Sequence, residues 1–400
     1  MLISSLAQFS RLSPFKEITI DDGWDQLNRS FMFVLMVICG TVVTVRQHTG
    51  NIISCNGFSK YDGSFSEDYC WTQGLYTIRE AYHVSDLNVP YPGIIPEEIP
   101  MCLGENCEKL SGNTFNTTRV YHLWYQWIPF YFWLAAAAFF LPYLIYKRYG
   151  FGDIKPLIQM LYNPLDGDEG VKAESEKASI WIYHRFSIYM NEHSMYANFI
   201  ERHGVGILVI SIKVMYLIIS VLLMTLTAMM FELADFKQYG IIWAQQWPDP
   251  PANVTGIKDL LFPKMVACEI KRWGPTGLED ENGMCVLAPN VINQYIFLIL
   301  WWSLVFVIVS NVFNVLAGII RVVFIYGSYR RMLASAFLRD DPHYKKVYYK
   351  IGTSGRVILN VLAASISPTC FQEIMNNVCP RLIRAHVSRK GHNLGDDPNL

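Results

Sequence analysis

Charge is scarce in this chain: 17% of its 400 residues are Asp, Glu, Lys or Arg, against 52% apolar. With a mean hydropathy of only +0.20, that mixture fits a membrane bundle with sizeable polar parts outside the spans. Neither sign of charge is in excess, since 33 basic residues meet 34 acidic ones. No basic surface is therefore implied overall, which argues against a nucleic-acid partner. Met1–Phe15 lacks a basic start, and Pro14 stands where a small-residue cleavage site is wanted. The first apolar stretch is thus expected to stay as a signal-anchor. Low-complexity segments and long repeats are missing too, and a carrier usually shows repeats and more spans. His83, His122, His184 and His193 are scattered without metal-ligand spacing. With no converging acid, base or nucleophile, no enzyme activity, metal or cofactor is expected. A tetraspan membrane organiser remains a remote alternative, its Cys-Cys-Gly motif being absent.

Four long apolar runs dominate what is present, roughly Phe31–Val45, Trp124–Tyr146, Val205–Phe231 and Tyr295–Ile320. A bilayer core needs about 20 apolar residues in a helix. The last three runs meet that length, while the first must borrow Asn28–Ser30 or Arg46–Thr49 at the interfaces. Basic residues cluster after the second run (Lys147, Arg148, Lys155) and after the fourth (Arg321, Arg330, Arg331, Arg339, Lys345, Lys346). The positive-inside rule then places both termini in the cytoplasm. The expected division is a cytoplasmic amino-terminal segment 1–30, a first span 31–46, an extracellular loop 47–123 and a second span 124–146. A cytoplasmic loop 147–204, third span 205–231, extracellular loop 232–294, fourth span 295–320 and cytoplasmic carboxyl-terminal domain 321–400 follow.

Cysteines test that topology independently. Six of nine fall in the two loops assigned outside: Cys55, Cys70, Cys102, Cys107, Cys268 and Cys285. An even count in the oxidising compartment fits a disulfide framework. Cys39, Cys370 and Cys379 are left where thiols stay reduced. Sequons at Asn116 and Asn253 also fall in the outside loops, whereas the one at Asn28 does not. Cys102 and Cys107, five positions apart and flanked by Pro100 and Gly104, most simply pair with each other. For the other four, spacing alone leaves three connectivities open.

Several motifs then occur in a familiar order. The first outside cysteine closes Val45-Arg46-Gln47-His48-Thr49-Gly50-Asn51-Ile52-Ile53-Ser54-Cys55, and the next stands in Asp68-Tyr69-Cys70-Trp71. The second span opens with Trp124-Tyr125-Gln126-Trp127-Ile128-Pro129-Phe130, and the second outside loop reads Leu261-Phe262-Pro263-Lys264-Met265-Val266-Ala267-Cys268, then Cys285-Val286-Leu287. Together they resemble the innexins, the invertebrate gap-junction family related to vertebrate pannexins. Tyr125, Gln126, Trp127 and Pro129 carry the signature, with Trp124 and Ile128 as conservative departures from a YYQWV pattern.

The resemblance implies an all-α membrane protein, the four-helix subunit of a large-pore channel with disulfide-bonded extracellular loops and a helical cytoplasmic domain. It implies a homo-oligomer, usually an octamer, in the plasma membrane, with other innexins as possible co-subunits and membrane lipids around it. Two such hemichannels dock between cells and pass ions and small molecules. It implies bridges between the loops, Cys55 with Cys285 and Cys70 with Cys268; one bridge within each loop is the plainer alternative. Leu2, Ile3 and Leu6 are expected at the cytoplasmic constriction, with Lys60 and Tyr61 at the outer mouth. An undocked, pannexin-like hemichannel is the alternative function, because glycans at Asn116 and Asn253 near loop tips would oppose close apposition.

Other features admit two readings each. Pro129 and Pro142 fit a gating hinge or a static kink. Lys213 fits a water-filled interior, a partner subunit or snorkelling to the interface. Asp21, Asp22 and Asp25 fit a cation-biasing vestibule or a solvated helix cap. Glu174–Met190 is expected to be helical after a loop over Asn163–Gly170, Arg321–Phe337 to continue the fourth helix, and His386–Leu400 to be disordered.

Overall fold

A computed structural model describes residues 23–49, 51–58, 63–79, 82, 91, 93–94, 119–150, 157–158, 161, 167–189, 195–231, 235–248, 255–274 and 277–393. In chain order the elements are α1 (Gly23–His48), β1 (Ile53–Asn56), α2 (Gly63–Gln73), β2 (Leu75–Ile78), β3 (Arg119–His122) and α3 (Ile128–Tyr149). Then come α4 (Gly167–Tyr189), α5 (Met195–Met230), α6 (Tyr239–Gln245), α7 (Ile257–Leu261), β4 (Met265–Gly274), β5 (Gly277–Leu287) and α8 (Asn290–Val323). The chain closes with α9 (Ile325–Ser335), α10 (Pro342–Lys350), α11 (Gly352–Ser365) and α12 (Pro368–Asn393).

Among the described residues, four helical segments are long and apolar enough to cross a bilayer: Gly23–His48, Trp124–Tyr149, Arg202–Met230 and Asn290–Val323. Each extends past the apolar run that marks it in the sequence. Within α1, Leu27–Met32 adopts a π-helical turn. The Thr41 and Thr44 hydroxyls donate back to the Val37 and Gly40 carbonyls at 2.7 and 2.6 Å, which satisfies them without water. Pro129 is the second residue of α3, directly after the 3-10 turn over Trp124–Trp127. Pro142 is inside that helix, and Lys147 and Arg148 in its last turn suit the negative end of the helix dipole.

The chain divides into two compact units, with boundaries at 29/30, 139/140, 217/218 and 309/310 inside the four long helices. One unit holds Ser30–Phe139 and Ile218–Val309. Its strands form one antiparallel sheet in the order β1-β5-β4-β2-β3. An aromatic core supports the sheet, centred on Phe297, whose ring packs 5.3–6.3 Å from those of Tyr131, Phe132, Phe231, Phe236 and Phe262. Such rings supply large buried area and directional edge-to-face contacts. Gly240 makes the packing possible, because a Cβ there would come within 2.1 Å of Trp301.

The other unit holds 1–29, 140–217 and 310–400. Its core joins α4, α9, α10, α11 and α12 through buried Ile182, Phe186, Tyr329, Met332, Tyr348, Leu359, Leu362, Phe371 and Val378. α10 starts cleanly: Asp341 caps it by accepting the His343 N–H at 2.7 Å, and Pro342 occupies the first turn. Gly352, with φ of +71°, opens α11 beside Arg202, where any Cβ would fall 2.3 Å from Arg202 Cγ.

Three sequence expectations change here. The fourth long helix does not run on through Phe337; it breaks at Phe324, φ −88° and ψ 77°, and α9 restarts from there. The break lets α9 turn Tyr329, Met332 and Leu333, spaced three and four residues apart, into the core. The segment expected as loop over Asn163–Gly170 is already helical from Gly167. His386–Asn393, expected to be disordered, belongs to α12, which is anchored by buried Phe371, Ile374, Val378 and Leu382 upstream.

Candidate functional site

The best-defined candidate surface among the described residues is the sheet. β4 and β5 form a ten-pair hairpin from Met265↔Val286 to Gly274↔Gly277. Val266, Cys268 and Ile270 alternate inward along β4, as a half-buried strand requires. β1 lies on the far side of β5, with Cys55 directly opposite Cys285. β2 pairs with β4 through Tyr76↔Ala267 and with β3 along its length. Strands from the first loop therefore flank a hairpin from the second.

Two disulfides lock this arrangement. Cys55 is bonded to Cys285, and Cys70, near the end of α2, to Cys268. The sulfurs of Cys55, Cys70 and Cys285 lie within 4.8 Å of one another, so the bridges sit side by side. All three are consumed in bridges, which removes the thiolates a metal would need. Arg119 on β3 adds an ion pair to Glu269 on β4 while its guanidinium stacks 4.5 Å over the Tyr76 ring.

The signature residues tie the sheet to the spans. Trp124–Trp127 forms a 3-10 turn before α3. Gln126 Nε2 and Tyr125 Oη both donate to the Trp71 carbonyl, at 2.6 and 3.3 Å, and the Tyr125 and Trp71 rings lie 4.4 Å apart. Gln47, in the last turn of α1, donates to the Tyr125 carbonyl at 2.8 Å. One turn thus fastens α1, α2 and α3 together beside Cys70. Trp127 is exposed.

His122 closes β3, buried, with Nε2 2.8 Å from Thr77 Oγ1. Burial pulls its pKa down from 6.5 to about 4, so the ring is neutral near pH 7. At the hairpin's far end Trp273 is 83% exposed, beside Gly274 and Gly277. Neither Trp273 nor the Arg119–Glu269 pair is signalled by the sequence motifs; only a tip Trp bracketed by turn residues hints at the first.

The second unit carries a buried polar cluster. Lys213 on α5, 2% exposed, donates to Asp25 Oδ2 and to Asn314 Oδ1, each at 2.8 Å. Asn314 Nδ2 donates to the other Asp25 oxygen at 2.8 Å. Lys213 is thus paired inside its own subunit rather than snorkelling, and Asp25 is its partner rather than a solvated cap. Asn28 and Asn311 bond to each other nearby, and the Arg29 guanidinium lies 4.3 Å over the Tyr143 ring. Cys39, Cys370 and Cys379 are buried and take no part in the two bridges, and burial pushes the Cys379 thiol up to about 12, which leaves it inert.

The remaining expected site residues fall outside the described residues: Leu2, Ile3, Leu6, Asp21, Asp22, Lys60, Tyr61, Cys102, Cys107, Asn116 and Asn253.

Comparison with known proteins gives a consistent result. The family model for Innexin matches residues 21–382. The chain is 23% identical over 376 residues to Innexin inx2 of Drosophila melanogaster, covering 90% of this chain and 91% of that protein. It is 24% identical to Innexin inx2 of Schistocerca americana, covering 91% and 94%. Identity to Innexin shaking-B of Drosophila melanogaster is 24%, covering 89% of each.

Proposed function

The chain belongs to the innexin family and is a multi-pass subunit of a plasma-membrane gap-junction channel, and from that premise we propose that about eight copies surround one pore and dock with an opposing ring. The bridged sheet faces the extracellular gap in this reading, because disulfides persist in oxidising compartments. Sealing two rings end to end needs a surface that keeps its shape before contact, since ordering loops at the moment of association weakens it. The observation that carries the proposal is the sheet order, with both loops of one subunit woven into five strands and bridged twice. The exposed Trp273 at the hairpin tip supplies an aromatic anchor of the kind that dominates protein interfaces. Another innexin of similar loop architecture serves equally as neighbour or opposing subunit.

At the pore, Leu2, Ile3 and Leu6 narrow the cytoplasmic mouth, and Lys60 and Tyr61 line the outer one. Cys102 and Cys107 bridge locally, and Asn116 and Asn253 carry glycans on the flank of the ring. Function is permeation, with no bond made or broken.

Paired-cell recording of Trp273→Ala tests the docking role. Junctional conductance should fall several-fold while current through unpaired rings persists. Unchanged coupling would remove Trp273 from the docking surface. Imaging of purified rings counts the subunits, and a monomer or a poreless dimer would overturn the assembly.

A further inference from the structure

A cavity of about 380 Å³ lies where the ends of α5 and α8 meet α9 and α11. That is the size of a small-ligand site. Its walls combine two chemistries: Val209, Ile210 and Val322 on the long helices are apolar, whereas Arg321, Arg331 and Arg356 bring three guanidinium groups. Asp25 and Lys213 also reach it but neutralise each other. Among the described residues, Arg331 and Arg356 have no carboxylate partner. The cavity therefore carries a positive excess.

Two of its polar atoms are buried and unsatisfied. Arg356 donates from Nε to the Gly352 carbonyl at 2.9 Å, which leaves Nη1 without a partner. One turn later Asn360 spends its Nδ2 on Ser328 Oγ and Tyr348 Oη, at 3.1 and 3.0 Å, leaving Oδ1 without a donor. Buried polar groups in folded proteins nearly always find partners. Burial pulls the Arg356 pKa down, and the nearby Arg202 cation adds to the effect. A bound anion would answer the Arg356 guanidinium, and a ligand hydroxyl would supply the donor that Asn360 Oδ1 lacks.

We propose that this cavity binds a phosphate ester that also carries free hydroxyls, with its phosphate on Arg331 and Arg356 and a hydroxyl donating to Asn360. Guanidinium forks suit phosphate oxygens. The apolar wall on the long helices accepts the glycerol and first acyl carbons of a lipid, and basic pockets at the cytoplasmic ends of spans hold such headgroups. A phosphorylated inositol lipid of the inner leaflet has all three parts; a soluble inositol phosphate has the first two.

Binding to the purified full-length channel in detergent separates these sources. The probes are dioctanoyl phosphatidylinositol 4-phosphate, its headgroup inositol 1,4-bisphosphate, and dioctanoyl phosphatidylcholine. The phosphoinositide should bind, phosphatidylcholine should bind at least about tenfold more weakly, and Arg331→Gln with Arg356→Gln should cost about tenfold, the worth of a charge-assisted contact. Arg331 is exposed, so the single Arg331→Gln variant keeps its thermal stability and still weakens binding. Arg330→Gln, equally exposed and outside the lining, makes the same charge change and should have no effect. Equal binding of headgroup and lipid would support the same site with a soluble ligand. Equal binding of phosphatidylcholine, equal loss in Arg330→Gln, or no binding of any probe would overturn the proposal.

Discussion

Asn28 and Asn311, 283 positions apart, exchange two side-chain hydrogen bonds: each amide nitrogen donates to the other's oxygen, at 2.7 and 3.0 Å. Both side chains are buried, at 0% and 1% exposure. The first lies in the π-helical turn of α1 and the second on α8, so the exchange pins the start of one long helix to the middle of another. Truncating one partner strands the other's amide. Asn28→Ala should cost about 1–3 kcal/mol of stability. The paired substitution Asn28→Leu with Asn311→Leu should recover part of it, as read by thermal unfolding in detergent. A paired loss equal to the sum of the two single losses would mean the exchange contributes nothing.

Lys213 gives a sharper contrast. Removing one member of a buried pair leaves an uncompensated charge, so Lys213→Met should cost about 3–5 kcal/mol. Combining it with Asp25→Leu removes both charges and should restore much of the loss. Yield of folded oligomer and unfolding temperature report it. A paired variant as poor as Lys213→Met alone would show that packing, not charge, decides.

The sheet should weaken in acid. His122 keeps a pKa of about 4 when folded against 6.5 when free. Between those values the unfolded chain takes up a proton that the folded sheet refuses. Stability is therefore full above pH 6.5, falls as pH drops, and levels off below about 4. Across that window the loss from this residue is on the order of 3 kcal/mol. His122→Gln should flatten part of the slope in hydrogen-exchange protection of β2 and β3. An unchanged slope would assign the acid sensitivity to other groups.

Cys70→Ser leaves Cys268 without its partner and frees α2 from β4. Loss of a loop-closing bridge costs about 2–4 kcal/mol. Surface channels and current should drop, and peptide mapping under non-reducing conditions should still recover Cys55 joined to Cys285. A variant that reaches the surface and conducts normally would make the second bridge dispensable.

The spans were legible because apolar length is a local property, read in one pass along the chain. So was α4, whose pattern is local too, whereas the helical carboxyl-terminal region was suggested only by resemblance to a family. What escaped depends on partners far away in sequence. The first helix starts before its apolar run because Asp25 and Asn28 are answered by Lys213, Asn311 and Asn314, and no window of hydropathy contains all five. The same blindness left Lys213 with three readings and none of them a partner within its own chain. The sheet was not foreseen either: β1, β2 and β3 are four residues each, and two of them are paired with strands almost 200 positions away or more. Spacing left the cysteine connectivity open for the same reason, and only resemblance to a family suggested a pairing.

The strand order carries a consequence for biosynthesis. β1 and β2 never touch; the hairpin of β4 and β5 fills the space between them, and it is made last. A ribosome that has finished the first loop has made Cys55 and Cys70 before either of their partners, Cys285 and Cys268. Both must wait through two further spans until residues 265–287 arrive. Unpaired edges and reactive thiols are what aggregate during such delays. The sheet can therefore close only after its central hairpin has been made, however early its outer strands are.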